Sequence, residues 1–170
     1  EIYTLSLHDA LPISDEIITV DADGKRWIST GDIGYLDKDG NVFIKGRIKR
    51  LIVRRGNKIF PINIENIILS IDGISKCAVV GMPDSLDKTA PVAHIVLNED
   101  CTKEFNEIVS EIKETIVKTM PDYNIPLKYI FRDDLPLTTM AKIDFKALEE
   151  ESLQYVDKEE IINLNNIKVK

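Results

Sequence analysis

Phe105, Ile108, Val109, Ile112 and Ile116 fall at i, i+3, i+4, i+7 and i+11, one apolar stripe on a helix expected over residues 103–119. A helix with a single stripe must lay it on a partner. SKCAVVGMP and APVAHIVLN, just upstream, are nearly uninterrupted apolar runs of strand length, which predicts two buried strands. INIENIILSI has helical spacing, with Pro61 where a first helical turn tolerates it. LIVRRGNKIFP predicts a small hairpin turning at Gly56-Asn57, LKYIFR a further strand, and IDFKALEEE a short helix after a loop. The order β, α, β, β, α, β, α predicts a compact α+β domain over residues 51–150, a short antiparallel or mixed sheet with flanking helices. Residues 151–170 are polar and weakly periodic, and are expected to be a tail.

Ahead of that domain, EIITVDADGKRWIS and GYLDKDGNVFIKG each place two extended arms around an Asp-Gly turn, predicting β-hairpins over residues 15–46. Neither is a calcium loop, because the glycine falls too early for the ligand spacing. The opening EIYTLSLHDALPIS resembles a translated sequencing adapter rather than a gene product, so residues 1–14 are set aside as non-native. The alternative is an ordinary N-terminal strand or helix, since LSLHDALPI is apolar enough to pack. With residues 1–14 removed, the natural chain is expected to enter near Asp15, already in mid-protein.

Composition narrows the function. With 170 residues, 44% hydrophobic and 30% charged, the chain can bury a sizeable core and is not of disordered type. No apolar run approaches the roughly 18 residues of a membrane span, and no secretory signal pattern opens the chain. Cys77 and Cys101 lack metal-ligand spacing, while His8 and His94 lie in different segments, so no zinc or His-based cluster is expected. Two reduced thiols fit a cytoplasmic protein.

Charge supplies the sharpest local signal. The chain carries 22 basic against 29 acidic residues, yet seven of the fourteen residues in KGRIKRLIVRRGNK (45–58) are Lys or Arg. No acid occurs from Gly40 to Ile64. A solvated face usually mixes signs, so a one-signed block implies a partner or a mechanism. A nucleic-acid patch is one reading, but aromatic interleaving is absent and the net charge of -7 opposes it.

Two more motifs flank this block. In WISTGDIGYLDKDG, Asp32 offers two acceptor oxygens suited to the paired hydroxyls of a ribose; taken alone, TGD reads first as an Asp capping a tight Thr-Gly turn. In LPLTTMAKIDFKAL, Lys142 lies in a turn-prone segment able to carry it into a pocket, or is simply a surface Lys ahead of a helix.

In this order and spacing, WISTGDIGYLDKDG, GRIKRLIVRRGNKIFPINIE and LPLTTMAKIDFKAL resemble the adenylate-forming superfamily, which includes acyl-CoA synthetases, peptide-synthetase adenylation domains and firefly luciferase. The resemblance covers Trp27 to Leu148. It implies the β-hairpin end of a large ATP-binding domain (15–46), a hinge (47–50) and a small C-terminal domain (51–150). It also implies an AMP-forming acid–thiol ligase: a carboxylate attacks the α-phosphate of ATP, releasing pyrophosphate, and a thiol then displaces AMP.

By the same resemblance, Asp32 binds the ribose, Arg47 contacts the nucleotide, Lys49 is the hinge and Gly56 belongs to the loop that meets the thiol tunnel. Glu65 is structural, and Lys142 is the catalytic Lys bridging the carboxylate and α-phosphate oxygens. ATP with Mg2+ and either coenzyme A or a carrier protein's pantetheine are the implied cofactors. The partners are a carboxylic acid substrate and an N-terminal large domain, with no nucleic acid and no membrane span.

Two departures stand out: Ala141 where the family usually has Gly, and Lys88-Thr89 where it often shows Gly-Glu. No Ser/Thr/Gly-rich phosphate loop occurs in the sequence, so the chain alone is expected to be inactive. The alternative class is a stand-alone regulatory or binding module for nucleotides or nucleic acid.

Overall fold

The computed structural model describes residues 18–164, so residues 1–14 lie outside the described residues. The chain divides into two units, the first ending at Lys49 and the second starting at Arg50.

The first unit consists of two antiparallel hairpins, Ile18–Val20 (β1) with Arg26–Ile28 (β2) and Asp32–Leu36 (β3) with Val42–Arg47 (β4). Both turns use the same device. Asp21 Oδ1 accepts the backbone N–H groups of Asp23 and Lys25 at 3.1 and 2.9 Å, and its Oδ2 accepts Trp27 Nε1–H at 2.7 Å. Asp37 Oδ1 likewise accepts the N–H groups of Asp39 and Asn41, both at 2.9 Å, and its Oδ2 accepts Asn41 Nδ2. These donors hold both carboxyls below the usual carboxylate range. A bulge follows Ile33, where a side chain on Gly34 would stand 2.6 Å from the Phe43 carbonyl oxygen. Tyr35 and Phe43 stack with centroids 5.1 Å apart and, with Val42 and Ile44, remain exposed.

The second unit opens with a small hairpin, Ile52–Arg54 (β5) and Asn57–Ile59 (β6). Its turn residues are Arg55 and Gly56, with φ of 51° and 79°, the pair of positive values that a two-residue type I′ turn requires. The expected turn at Gly56-Asn57 is thus one residue late: Arg55 itself takes the left-handed conformation, and Asn57 begins β6. The helix Pro61–Leu69 (α1) follows, with Pro61 in its first turn.

Ile74–Asp84 (β7) and Lys88–Leu97 (β8) pair antiparallel from Ile74↔Leu97 to Asp84↔Lys88. The remaining elements are Phe105–Thr119 (α2), Lys128–Phe131 (β9), Phe145–Ser152 (α3) and Ile161–Asn163 (β10). The sheet order is β10-β9-β8-β7, with β8, β9 and β10 parallel, so the sheet is mixed and carries helices on both faces.

Alternation explains why the strands read as continuous apolar runs. Cys77, Val79, Ala93, Ile95, Tyr129 and Phe131 face α1 and α2, meeting Ile64, Ile68 and the stripe Ile108, Val109, Ile112 and Ile116. Ala78, Val80, Met82, Val92, Val96 and Ile130 face the other way, toward Leu148 of α3. With both faces covered, no polar alternation is left to see. Glu107 Oε2 accepts the Glu104 N–H at 3.2 Å, which starts α2.

The expectation of a tail is corrected at residues 153–163. Leu153–Tyr155 forms a 3₁₀ turn, and β10 adds a parallel strand beside β9, from Ile161↔Tyr129 to Asn163↔Phe131. A three-residue strand is too short to show a period in sequence. What secures it is remote: the buried Lys128 ammonium donates to the carbonyls of Lys158 and Glu159.

His94 is fully buried in β8 against α3. Arg132 Nη1 donates to His94 Nδ1 at 3.2 Å and to both oxygens of Glu151 at 3.1 and 3.2 Å. The imidazole proton therefore sits on Nε2 and is given to Ser152 Oγ at 2.9 Å, while the Ser152 hydroxyl donates to the Leu148 carbonyl at 2.7 Å. Burial, and then the Arg132 charge, push the His94 pKa from 6.5 down to about 3. The unfolded chain thus takes up a proton that the native state refuses. The resulting stability is complete above about pH 6.5 and is lost as pH falls toward 3, by on the order of a few kcal/mol. Urea midpoints measured from pH 7 to 4 should fall steeply for the native sequence. A His94→Gln variant should lack that limb of the profile; an identical slope would exclude His94 as its source.

Candidate active-site residues

Asp32 opens β3 and faces Arg47 at the end of β4, so strand register alone places the two together. Arg47 Nε lies 3.3 Å from Asp32 Oδ1. The tight turn is stabilised from elsewhere: Thr30 Oγ1 accepts the Asp32 N–H at 3.2 Å, Ile48 N–H donates to the Gly31 carbonyl at 2.8 Å, and Gly31 has φ of 75°. The Asp32 carboxylate is therefore not consumed in capping. Among the described residues no hydrogen bond engages Oδ2, which leaves an acceptor beside a guanidinium.

The rest of the basic block sorts into distinct fates. Lys45 Nζ lies 5.0 Å from the Tyr35 ring centroid. Lys49 is exposed within the 3₁₀ turn Ile48–Arg50 and ends the first unit. Arg50 and Arg55 are not merely solvated. Arg50 pairs with the buried Glu65, donates to the Val79 carbonyl at 3.3 Å and sits 3.7 Å over the Phe145 ring. Arg54 and Arg55 both pair with Asp87. Glu65 Oε1 also accepts the Val79 N–H at 2.8 Å, the geometry of a structural carboxylate.

Sequence reasoning missed Asp87 and the anchoring of Arg50 and Arg54. Their partners lie 15 to 71 residues away, beyond any local pattern. The one available signal was the absence of acid near the block, which means its counter-charges must come from remote segments.

Lys142 is exposed, and no salt bridge among the described residues reaches its ammonium. Its loop is rigidly registered. Leu137 and Ile143 form an antiparallel bridge, Thr138 N–H donates to the Lys142 carbonyl at 2.7 Å, and Ala141 N–H donates to the Thr138 carbonyl at 3.0 Å. This is a three-residue hairpin loop whose last residue is left-handed, and Ala141 has φ of 56°. Thr138 Oγ1 further accepts the Lys142 N–H at 3.3 Å. The methyl group of Ala141 therefore does not prevent the glycine-type backbone; it is accommodated at a cost. Lys88, the other departure, has φ of 64°.

Asp32 and Arg47 thus lie together in the first unit, whereas Gly56 and Lys142 sit on separate hairpins of the second.

The model of the AMP-binding enzyme C-terminal domain family matches residues 63–142. A 2-succinylbenzoate–CoA ligase of Listeria monocytogenes is 36% identical over 124 residues, 73% of this chain and 25% of that protein. The long-chain-fatty-acid–CoA ligase FadD13 of Mycobacterium tuberculosis is 34% identical over 133 residues, 78% of this chain and 25% of that protein. ATP-bound MatB from Rhodopseudomonas palustris superposes with a TM-score of 0.69 at 29% identity, covering 86% of this chain and 27% of that one. The chain spans about a quarter of the length of these relatives.

Relieving the left-handed alanine tests the loop geometry. An L residue there costs about 1–2 kcal/mol, and glycine returns roughly 0.5–1 kcal/mol as backbone entropy. Ala141→Gly should raise stability by about 1 kcal/mol or less, read as a higher urea midpoint with unchanged slope; a loss of that size would show that the loop prefers its methyl group. From its sequence relatives, its matching family model and its fold, the chain belongs to the AMP-binding enzyme C-terminal domain family of the adenylate-forming enzymes.

Proposed function

We propose that this chain is the C-terminal part of an ATP-dependent carboxylic acid–thiol ligase, and that Lys142 serves its first half-reaction. The observation that carries this reading is the Lys142 loop: an exposed ammonium that no salt bridge among the described residues reaches, held by a hairpin whose register is fixed on both sides. A side chain tethered this way can be delivered to a site by moving the whole unit, without re-forming the loop.

In the first step a carboxylate oxygen bonds to the α-phosphorus of ATP, and the bond to the bridging oxygen of pyrophosphate breaks. Two anionic groups approach one another, and a compact ammonium with three donors offsets their repulsion. Asp32 accepts the ribose hydroxyls through its open Oδ2, with Arg47 holding the carboxylate in place. In the second step a thiol, from coenzyme A or a carrier protein, bonds to the acyl carbon and AMP leaves. The Gly56 turn serves that step. Lys49 is the pivot, a reading supported by an exposed residue directly before the firmly anchored Arg50. ATP would bring magnesium, whose ligands are expected outside this chain; among the described residues no group of three or more His, Cys, Asp or Glu is placed to hold a metal. Free Cys77 and Cys101 accord with a cytoplasmic setting. A nucleic-acid module is disfavoured because Arg50, Arg54 and Arg55 are already committed to internal carboxylates.

Two expected outcomes follow from the division of labour. The 170 residues alone should give only background ATP–pyrophosphate exchange with any acid; robust exchange would place the phosphate site within this chain. In the full-length enzyme, Lys142→Ala should slow acyl-AMP formation about 10²–10³-fold while thioester formation from supplied acyl-AMP stays nearly unchanged. An unaffected first step would remove Lys142 from the mechanism.

A further inference from the structure

We propose that Asp87 is a positioning residue for the Arg55-Gly56 turn and thereby for the thiol-transfer half-reaction, an inference that rests on the reading of Gly56 given above. The turn needs help. Its first central residue is an arginine at φ 51°, a conformation that an L residue adopts under strain, and nothing stands within 4 Å of where a Gly56 side chain would begin. Within the hairpin, Asn57 Nδ2 donates to the Arg55 carbonyl at 3.4 Å; among the described residues, one hydrogen-bonded link ties the tip to the rest of the unit. Arg55 Nε donates to Asp87 Oδ1, while Arg54 Nε donates to Oδ2 of the same carboxylate at 2.7 Å.

The carboxylate is almost completely enclosed, its side chain 3% exposed, and it is itself placed from below. Asp84 Oδ2, at the end of β7, accepts the Asp87 N–H at 2.8 Å and the Leu86 N–H at 3.2 Å. Arg54 Nη1 reaches on to the carbonyls of Tyr123 and Ile125 at 3.1 and 3.0 Å, which fixes the base of the hairpin to the body of the unit.

Neutralising a buried carboxylate requires one guanidinium, and Arg54 supplies it through Nε, while its Nη1 is held by the Tyr123 and Ile125 carbonyls. The second arginine adds nothing to that requirement. Its own side chain is 64% exposed, and what its bond to Asp87 changes is the placement of the turn from which it projects. The two hydrogen-bonded guanidinium groups hold the Asp87 carboxyl below the usual carboxylate range, so the link persists throughout the neutral pH range.

The test uses the full-length enzyme, with ATP–pyrophosphate exchange for the first half-reaction and thioester formation from supplied acyl-AMP and coenzyme A for the second. Arg55→Gly frees the tip yet keeps the left-handed turn and the Asp87–Arg54 pair, so the fold is retained. Asp87→Asn weakens both pairs, and Asp87→Glu restores the charge. Arg55→Gly and Asp87→Asn should slow thioester formation about tenfold or more with exchange within about twofold, and Asp87→Glu should recover part of the loss. Equal loss in both half-reactions for Arg55→Gly would show a general structural role and overturn the proposal. Gly56→Trp serves as the control on the reading beneath it. If that variant spares the thiol step, the role of the turn falls and this proposal falls with it. If it impairs the thiol step while Arg55→Gly and Asp87→Asn do not, the proposal alone is overturned.

Discussion

The Glu65 carboxylate is the contact on which the second unit depends. From α1 it accepts both the Val79 N–H of β7 and the Arg50 guanidinium, and Arg50 in turn covers the Phe145 ring at the start of α3. One acidic group therefore joins a helix on one face of the sheet, the sheet itself, the first residue of the unit and a helix on the other face. It is buried, and leaving either charge without its partner there costs about 3–5 kcal/mol. The same bond ties down the first residue of the unit, which is what the proposed pivot at Lys49 asks of its neighbour.

Much of this architecture was legible because it follows from periodicity. The α2 stripe and the paired runs around Val79 and Ile95 give helix and strands directly, since each buried face repeats at 3.6 or 2 residues. The Asp-Gly hairpins of the first unit were equally plain, because Asp21 and Asp37 organise their turns through bonds spanning two to six residues. The Arg55-Gly56 turn was displaced by one position for a physical reason. Turn propensities favour Asn in a left-handed conformation, whereas here a remote carboxylate holds an arginine there.

The basic block shows where local reading stops. Its density was visible, and its purpose was divided among residues in a way that only the fold displays. Arg50, Arg54 and Arg55 answer to Glu65 and Asp87, while Arg47 answers to Asp32 fifteen positions before it. Lys142 is the opposite case. The resemblance of LPLTTMAKIDFKAL to a family motif singled it out, and the fold added the hairpin that presents it and the left-handed Ala141 on which that hairpin turns.

The short strand β10 bears on how this region can be handled as a separate piece. It lies along the outer edge of β9, and the Lys158–Glu159 carbonyls ahead of it receive the Lys128 ammonium. A segment cut at residue 150 would leave a row of unpaired peptide groups along Tyr129, Ile130 and Phe131 and strand a buried ammonium without acceptors. An exposed apolar edge of that kind recruits strands from other molecules, so such a truncation would favour self-association over a soluble monomer.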